Sequence, residues 1–598
     1  MKIHLFLILF FLVTSAEASE CPVVLIAHRH FDIGSYTAGM ERSSLQKAAL
    51  GSMGHPGHIV DLGTGSGISA HDLARLFPDS SVIGVDLDPN MVRLATSRYK
   101  ADNLAYTVGN AEQPIFGTNS VDTIFMSSTA HHLTSYGSGK FDITHVINAI
   151  RSAHQQLKIG GTFILRDFVI SEGPKSVILE IPILDGTAEL FEKFAKDFRS
   201  SQHIASGVPY IELEPDQAGW RRFQLSLRDA NEFILRKDYR DSYNEEIKEE
   251  YTFMSQKDFE RAFEQAGFRI LHSAPIFNPW IIKNRYQGKV KLFSLDGQSL
   301  PFPPTNYAIV GEKIRPSQGI LLRESRRVSL STPQFLRMLA VQDTKTGEII
   351  DLVERPGAAI DLIPYFIRKG NLYVLSKQGY PRPITTVADQ SGLTPGQSRG
   401  YSIEPLGFIV DRSQPTFRQI QDQFEMRAGI PSDAILTRIS PKLLHRLYTS
   451  PGMADESTSS IALQIKSQRV QLSTPKREYS GFSTSGTVRP IEATQLLRAA
   501  QIGTILDARL EASVYELLLS LKRDLGPWIG EEVHLKESDL PVKVSPALKV
   551  LNPKNKSRRF RIMNSDQFGQ YLDVRHSTFI ELPRAQARAV SHVSCFIS

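Results

Sequence analysis

Cysteine is almost missing: Cys21 and Cys595 are the two in 598 residues. That excludes a disulfide-stapled scaffold and a cysteine-built zinc site, and leaves at most one bridge joining the two ends. Beyond the first residues there is no long apolar run, and a bilayer span needs about 20 such residues, so no transmembrane segment is expected. Internal repeats and low-complexity tracts are absent. Neither charge sign dominates: 69 Lys and Arg against 63 Asp and Glu give a net charge of +6. Spread over this length, the excess makes no electrostatic case for a nucleic-acid partner. What remains is 41% hydrophobic and 22% charged, which excludes a mainly disordered or fibrous chain. The length is a prior for roughly four domains at ~150 residues each.

The start of the chain has the layout of a secretory signal over residues 1–18. Lys2 is the positive region, Leu5 to Val13 is apolar, and Ala16-Glu17-Ala18 supplies the cleavage pattern. Export to a periplasm or the exterior is expected if this segment is cleaved; without cleavage the chain stays cytoplasmic. Glu20 before Cys21 does not fit a lipoprotein box.

The most informative stretch begins at His58. Ile59 to Leu62 reads as a short buried strand, followed by a loop with Gly63, Gly65 and Gly67. Ala70, Leu73, Ala74 and Phe77 then fall on one helical face, and Val82 to Val85 is a second strand ending at Asp86. This is a βαβ unit with a right-handed crossover. The glycines are spaced G-x-G-x-G, and Ile68 stands where a dinucleotide fingerprint would place its third glycine. Such a loop admits a close, uncharged part of a ligand. An acidic residue on each strand suits a ribose diol, held by Asp86, and an ammonium, faced by Asp61 directly or through water.

These residues resemble the class I S-adenosylmethionine-dependent methyltransferases. The resemblance continues through Gly109-Asn110-Ala111-Glu112-Gln113-Pro114, where Asn110 replaces the usual Asp, and through Val121 to Met126 as a fourth strand. Gly160-Gly161 falls at the turn into a fifth strand. Ser255 to Ala266, closed by Gly267, is the late helix, and Asn306 to Ile314 the last strand. The resemblance implies S-adenosyl-L-methionine as methyl donor, bound by Asp61, Gly63, Thr64, Gly65, Gly67, Asp86, Leu87, Asn110, Ala111 and Ser127 within a domain over 19–315. It implies transfer of a sulfonium methyl to a small-molecule acceptor, with no metal ligands assigned.

Candidate catalytic groups lie at the carboxyl ends of the fourth and fifth strands. His131 or His132 can serve as a base near neutral pH, or cap and pack the next helix. Asp167 can contact the acceptor or pair with Arg166. Residues 170–254 form an insertion that the resemblance reads as an acceptor lid. Its Trp220, Phe223, Phe233, Tyr239 and Tyr243 are available to a pocket or to ordinary core.

From Arg323 the character changes. Leu336 to Ala340, Gly347 to Val353, Ala358 to Phe366 and Leu372 to Leu375 read as strands with turns between them. Val353 to Ala359, Gln378 to Arg382, Ile403-Glu404-Pro405-Leu406-Gly407, Tyr448 to Glu456 and Gln501 to Arg509 resemble segments of the ADP-ribose-pyrophosphatase-like Nudix proteins over about 325–525. The Nudix box itself is degenerate. Gln414 stands at its first glutamate, Asp422-Gln423 at its Arg-Glu, and Met426-Arg427 at its Glu-Glu. Its helix persists, with Pro415 suited to the first helical position and Phe417, Ile420 and Phe424 on one face. Mg²⁺ needs hard oxygen ligands, which Gln, Met and Arg do not replace.

The expected fold is therefore α/β: a Rossmann-like class I methyltransferase domain, then an α+β Nudix-like domain over 316–525, then an extension over 526–598. The extension carries a basic run at 554–561, read as a solvated loop or a phosphate contact. The expected activity is methyl transfer, with a non-hydrolytic Nudix-like part for ligand binding or assembly. The alternatives are a Nudix-type nucleoside-diphosphate hydrolase with a regulatory methyltransferase-like domain, and a non-catalytic binding protein.

Overall fold

The computed structural model describes residues 43–139, 141–183, 185–198, 207–315, 337–343, 347–354, 358–381, 401–410, 415–436, 442–450, 454–470 and 487–525, with three short strands beyond 547. Residues 1–18, Cys21, Cys595, Gln414 and the basic run at 554–561 lie outside the described residues.

Helix α1 (Ser44–Gly51) precedes the predicted βαβ unit of β1 (His58–Leu62), α2 (Ile68–Leu76) and β2 (Ser81–Asp86). There follow α3 (Pro89–Arg98), β3 (Leu104–Val108), β4 (Val121–Ser127), α4 (Ala130–Tyr136), α5 (Thr144–Gln156) and β5 (Leu157–Asp167). An inserted block holds β6 (Ser176–Pro182), α6 (Thr187–Asp197), β7 (Ile211–Leu213), β8 (Trp220–Ser226), α7 (Leu227–Arg236) and α8 (Tyr243–Glu246). The unit closes with α9 (Gln256–Ala266), β9 (Phe268–Ile276), β10 (Lys291–Ser294) and β11 (Asn306–Lys313).

Seven strands make one sheet in the order β3-β2-β1-β4-β5-β11-β9. It is parallel from β3 to β5, and β11 runs antiparallel between β5 and β9. Helices cover both faces, so the central strands are mostly buried; all seven residues of β4 are buried. Strand order reverses between β1 and β4, and open α/β sheets bind ligands outside the carboxyl ends at such a point. The late helix α9 carries the expected capping box of Ser255 and Asp258, with Gly267 left-handed at its end.

Two details depart from the sequence reading. Gly160-Gly161 is not a turn: β5 begins at Leu157 and runs through it, with Gly160 at φ 83° and a register shift against β4. The insertion is also not confined to 170–254. Its separate sheet, β10-β6-β8-β7, recruits β10 from beyond α9. Phe223 and Phe233 pack with Phe191 and Phe194 in the core of this block, so they are core rather than pocket residues.

The second unit comprises β12 (Arg337–Asp343), β13 (Ile349–Glu354), β14 (Ala358–Arg368), β15 (Asn371–Pro381), β16 (Tyr401–Glu404), β17 (Leu406–Val410), α10 (Phe417–Ala428), β18 (Lys442–Tyr448), β19 (Ala454–Asp455), β20 (Ser457–Gln464), β21 (Thr487–Glu492), α11 (Ala493–Gln501) and α12 (Ala508–Ser520). Helix α10 starts two residues later than expected. Thr416 caps it through Gln419, which leaves Pro415 outside the helix, and Phe417 is exposed while Ile420 and Phe424 are buried.

The two units share a hydrophobic core. Ala48 and Leu50 of α1, Leu73 of α2 and the following Phe77 belong to one cluster with Ile363, Val374, Leu496, Leu497, Leu510 and Leu517. Polar contacts cross the same seam: Tyr373 Oη donates to the Leu76 carbonyl at 2.8 Å, Arg368 pairs with Asp79 at 2.8 Å, and buried Arg489 donates to the Met53 carbonyl. Gln378, read from sequence as part of a Nudix-like segment, accepts from Arg489 at this joint. Among the described residues no helix is long and apolar enough to cross a membrane.

Candidate functional site

The glycine loop leaves β1 and turns sharply. Gly63, Gly65 and Gly67 have φ values of 72°, 54° and 91°, a region that side chains other than glycine's disfavour. The Gly63 and Thr64 amides both donate to the Val85 carbonyl, at 2.8 and 2.9 Å, which ties the loop to β2. Asp86, at the end of β2, accepts from the Gly65 amide at 2.8 Å through Oδ2 and from the Asp88 amide at 3.0 Å through Oδ1. Both oxygens thus face the loop and the strand end.

Asp61 Oδ2 accepts from Thr64 Oγ1 and from Ser69 Oγ, each at 2.7 Å, and the residue is buried. It braces the loop from beneath. Burial pushes its pKa up, and the two hydroxyls and Lys47 counter part of that rise. Leu87 is exposed just past β2, Asn110 and Ala111 follow β3, and Ser127 ends β4. Asn110 Oδ1 accepts from the Glu112 amide at 3.0 Å. The sheet therefore brings all ten predicted donor-site residues to one carboxyl edge.

Helix α1 adds two residues that the sequence did not mark. Lys47 is buried, and burial followed by the nearby Arg166 charge lowers its pKa to about 8, against the attraction of Asp61, Asp72 and Asp167. Gln46 Oε1 accepts from Arg166 Nη2 at 2.7 Å. Arg166 also donates to Asn306 Oδ1 at 2.6 Å and to Ser128 Oγ at 2.9 Å. None of these bonds goes to Asp167, although its nearby charge favours the protonated Arg166.

Asp167 instead holds His131. Its Oδ1 lies 2.7 Å from His131 Nδ1 and accepts from the Phe168 amide at 2.8 Å, while Oδ2 accepts from the His131 amide at 3.2 Å. With both oxygens engaged and the residue buried, Asp167 does not face an acceptor. On its other edge, His131 Nε2 is 3.4 Å from Glu249 Oε2, and His132 Nε2 is 3.4 Å from Glu249 Oε1. Tyr136 Oη donates to the same Oε1 at 3.0 Å. Burial alone would lower the His131 pKa, but Asp167 and Glu249 outweigh it and push it up to about 10. With Asp167 on Nδ1 and Glu249 facing Nε2, the buried His131 ring is not a free base. His132 keeps 27% of its side chain exposed. Tyr251 stacks on Phe168 at 4.1 Å and meets the His131 ring edge-on, closing the apolar wall. Glu249 carried no local signal: it lies inside the insertion, and only the tertiary fold brings it to α4.

In the second unit, α10 shows no carboxylate cluster among its described residues. Asp422 pairs with Arg418 on the helix surface, Gln423 accepts from Arg427, and Met426 is exposed. Asp361 is buried near Glu404, Glu456 and Asp507, with Arg509 at 3.4 Å.

Residues 60–165 match the family described as Methyltransferase domain. This stretch is a Rossmann-like methyltransferase domain. The chain is similar to the demethylmenaquinone methyltransferase of Symbiobacterium thermophilum, 32% identical over 113 residues, which are 18% of this chain and 41% of that protein. It is 26% identical over 130 residues to the demethylmenaquinone methyltransferase of Roseiflexus castenholzii, covering 22% of this chain and 50% of that protein. The chain thus spans half or less of the length of these curated relatives. Among solved structures, the YcgJ protein of Bacillus subtilis is 17% identical, covers 46% of this chain and 99% of its own, and has a TM-score of 0.26. Human N-acetylserotonin methyltransferase in complex with S-adenosylmethionine is 13% identical, covers 46% of this chain and 51% of its own, and has a TM-score of 0.24.

Proposed function

We propose that this chain is a class I S-adenosylmethionine-dependent methyltransferase acting on a small-molecule acceptor. The observation that carries the reading is the placement of Asp86, a carboxylate at the end of β2 with one oxygen on the Gly65 amide of the three-glycine loop and the other on the Asp88 amide. A ribose diol takes two acceptor oxygens in this position. Asn110 and Ala111 would flank the adenine, and the Gly63–Gly67 backbone would pass close to the amino-acid part of the donor. Lys47 supplies a buried cation suited to its carboxylate. When bound, the donor supplies a methyl group already activated by positive sulfur. The chain then has to hold two reactants in line and exclude water, and orientation of this kind is worth about 7–11 kcal/mol. The inserted block, whose Tyr251 stacks on Phe168 just after β5, would close over the acceptor.

The second unit is proposed to be a Nudix-like fold without hydrolase chemistry, serving assembly. The surface pairing of Asp422 and the exposed Met426 support that reading over the hydrolase alternative, since a metal-assisted attack needs a carboxylate cluster. The first residues are proposed to direct export, and N-terminal sequencing of the native protein tests it: a start near Ser19 supports cleavage, and Met1 overturns it.

The donor reading is tested by calorimetric titration with S-adenosylmethionine and S-adenosylhomocysteine. Saturable binding that Asp86→Ala weakens by about 2–4 kcal/mol is the expected result. A well-folded protein that binds neither, or an Asp86→Ala variant with unchanged affinity, overturns it.

A further inference from the structure

We propose that His131, His132 and Glu249 form a binding site for one divalent transition-metal ion, of the zinc class, whose open position takes the hydroxyl oxygen of the methyl acceptor. The first half of the proposal stands on the site's own geometry; the second half rests on the methyltransferase reading.

The ligand atoms of the three residues all lie within 4.8 Å of one another. Both imidazole Nε2 atoms stand 3.4 Å from a Glu249 oxygen. Without an ion these contacts are ion pairs, and metal binding would displace the His131 Nε2 proton that now lies toward Glu249. The contacts go to different oxygens, Oε2 and Oε1, and each distance is what bonds of about 2.0–2.1 Å at a tetrahedral angle leave between two donors, about 3.3–3.4 Å. Two imidazoles and one carboxylate are a borderline-soft set that suits zinc and its neighbours better than magnesium.

The surroundings fit the same reading. Histidine ligands of metal sites usually donate their other ring nitrogen to a carboxylate, which fixes the ring and the tautomer. Asp167 stands 2.7 Å from His131 Nδ1 in that position. Tyr136 donates to Glu249 and fixes the carboxylate in turn. Three protein ligands leave a coordination position open, the pattern of reactive rather than closed structural sites. Access is from the His132 side, where 27% of that side chain meets solvent, while His131 and Glu249 are buried.

The site lies at the carboxyl edge that holds the donor residues: α4 follows β4, and Asp167 ends β5. An acceptor hydroxyl bound at the open position has its pKa lowered. Its O–H bond breaks, the proton leaves to water, and the oxygen keeps the electron pair as the nucleophile. This removes the need for a free histidine base.

The test uses the full chain. Elemental analysis after purification without chelator, then titration of the chelator-stripped protein with Zn²⁺ and with Co²⁺, should give one ion per chain. His132→Ala and Glu249→Gln should each weaken binding at least 100-fold with unchanged circular dichroism, and Asp167→Asn 10–100-fold. Acetohydroxamate added to the Co²⁺ form should change its visible spectrum. Failure of the wild type to bind either ion, or equal binding in His132→Ala and Glu249→Gln, overturns the site. An unchanged spectrum with acetohydroxamate overturns the open position. S-adenosylhomocysteine titration of the same samples separates the two readings: donor binding without metal binding sinks this proposal alone, and metal binding without donor binding sinks only the acceptor role.

Discussion

The Asp86 carboxylate accepts the Gly65 amide at 2.8 Å, so the group best placed to hold a ligand also shapes the loop that would receive it. Removing it should act before any ligand is present. In Asp86→Ala, hydrogen exchange at the Gly65 and Asp88 amides should accelerate ten- to a hundredfold in the free protein, since a bond to a charged acceptor contributes about 1.5–3 kcal/mol. Exchange at the wild-type rate would mean the carboxylate does not shape the loop.

Gly67 should be intolerant for a different reason. A Cβ there would stand 2.7 Å from Ala95 Cβ and 2.8 Å from Tyr106 Oη, at a φ of 91°. Gly67→Ala should lower stability by about 1–3 kcal/mol, read as a reduced melting temperature. An unchanged melting temperature would show that α3 and β3 can move aside.

Asp361 should make stability depend on pH. Burial pushes its pKa up to about 7, with Asp507, Glu404 and Glu456 adding to the rise and Arg509 opposing it. Between the unfolded value of about 3.9 and about 7 the folded state holds a proton that the unfolded state has lost, so stability falls as pH rises through this window. Asp361→Asn removes that loss. Relative to wild type, the variant should gain about 2.6 kcal/mol of stability between pH 5 and pH 8. Urea titrations at both pH values check it, and a constant difference between the two proteins would contradict it.

The seam between the units gives a fourth expectation. A chain ending at residue 315 exposes Ala48, Leu50, Leu73 and Phe77, which now pack against Leu496, Leu497 and Leu510. It should aggregate or be recovered unfolded, whereas the full chain should melt in one calorimetric transition. A soluble, cooperatively folded fragment would show that the seam is dispensable.

Sequence reading recovered what local pattern encodes. The β1–loop–α2–β2 unit announces itself through three glycines and an apolar helical face, and the Ser255–Asp258 box marks where α9 begins. It did less well where meaning depends on distant partners. Asp167 looked free to meet a ligand or Arg166, yet His131 takes it, because α4 turns that ring back over the end of β5. Glu249 and Lys47 had nothing around them to signal a site; each becomes informative when the insertion and α1 fold onto the sheet edge. Pro415 illustrates a smaller failure, since Thr416 with Gln419 made a better cap two residues on.

The cluster that joins Leu50 to Leu496 and Leu510 also bears on how such a chain can change over time. Domains that meet through a linker can be cut out, duplicated and recombined as separate pieces. Here each partner holds part of the other's interior, so a volume change on one side must be matched on the other. The two are committed to descend together.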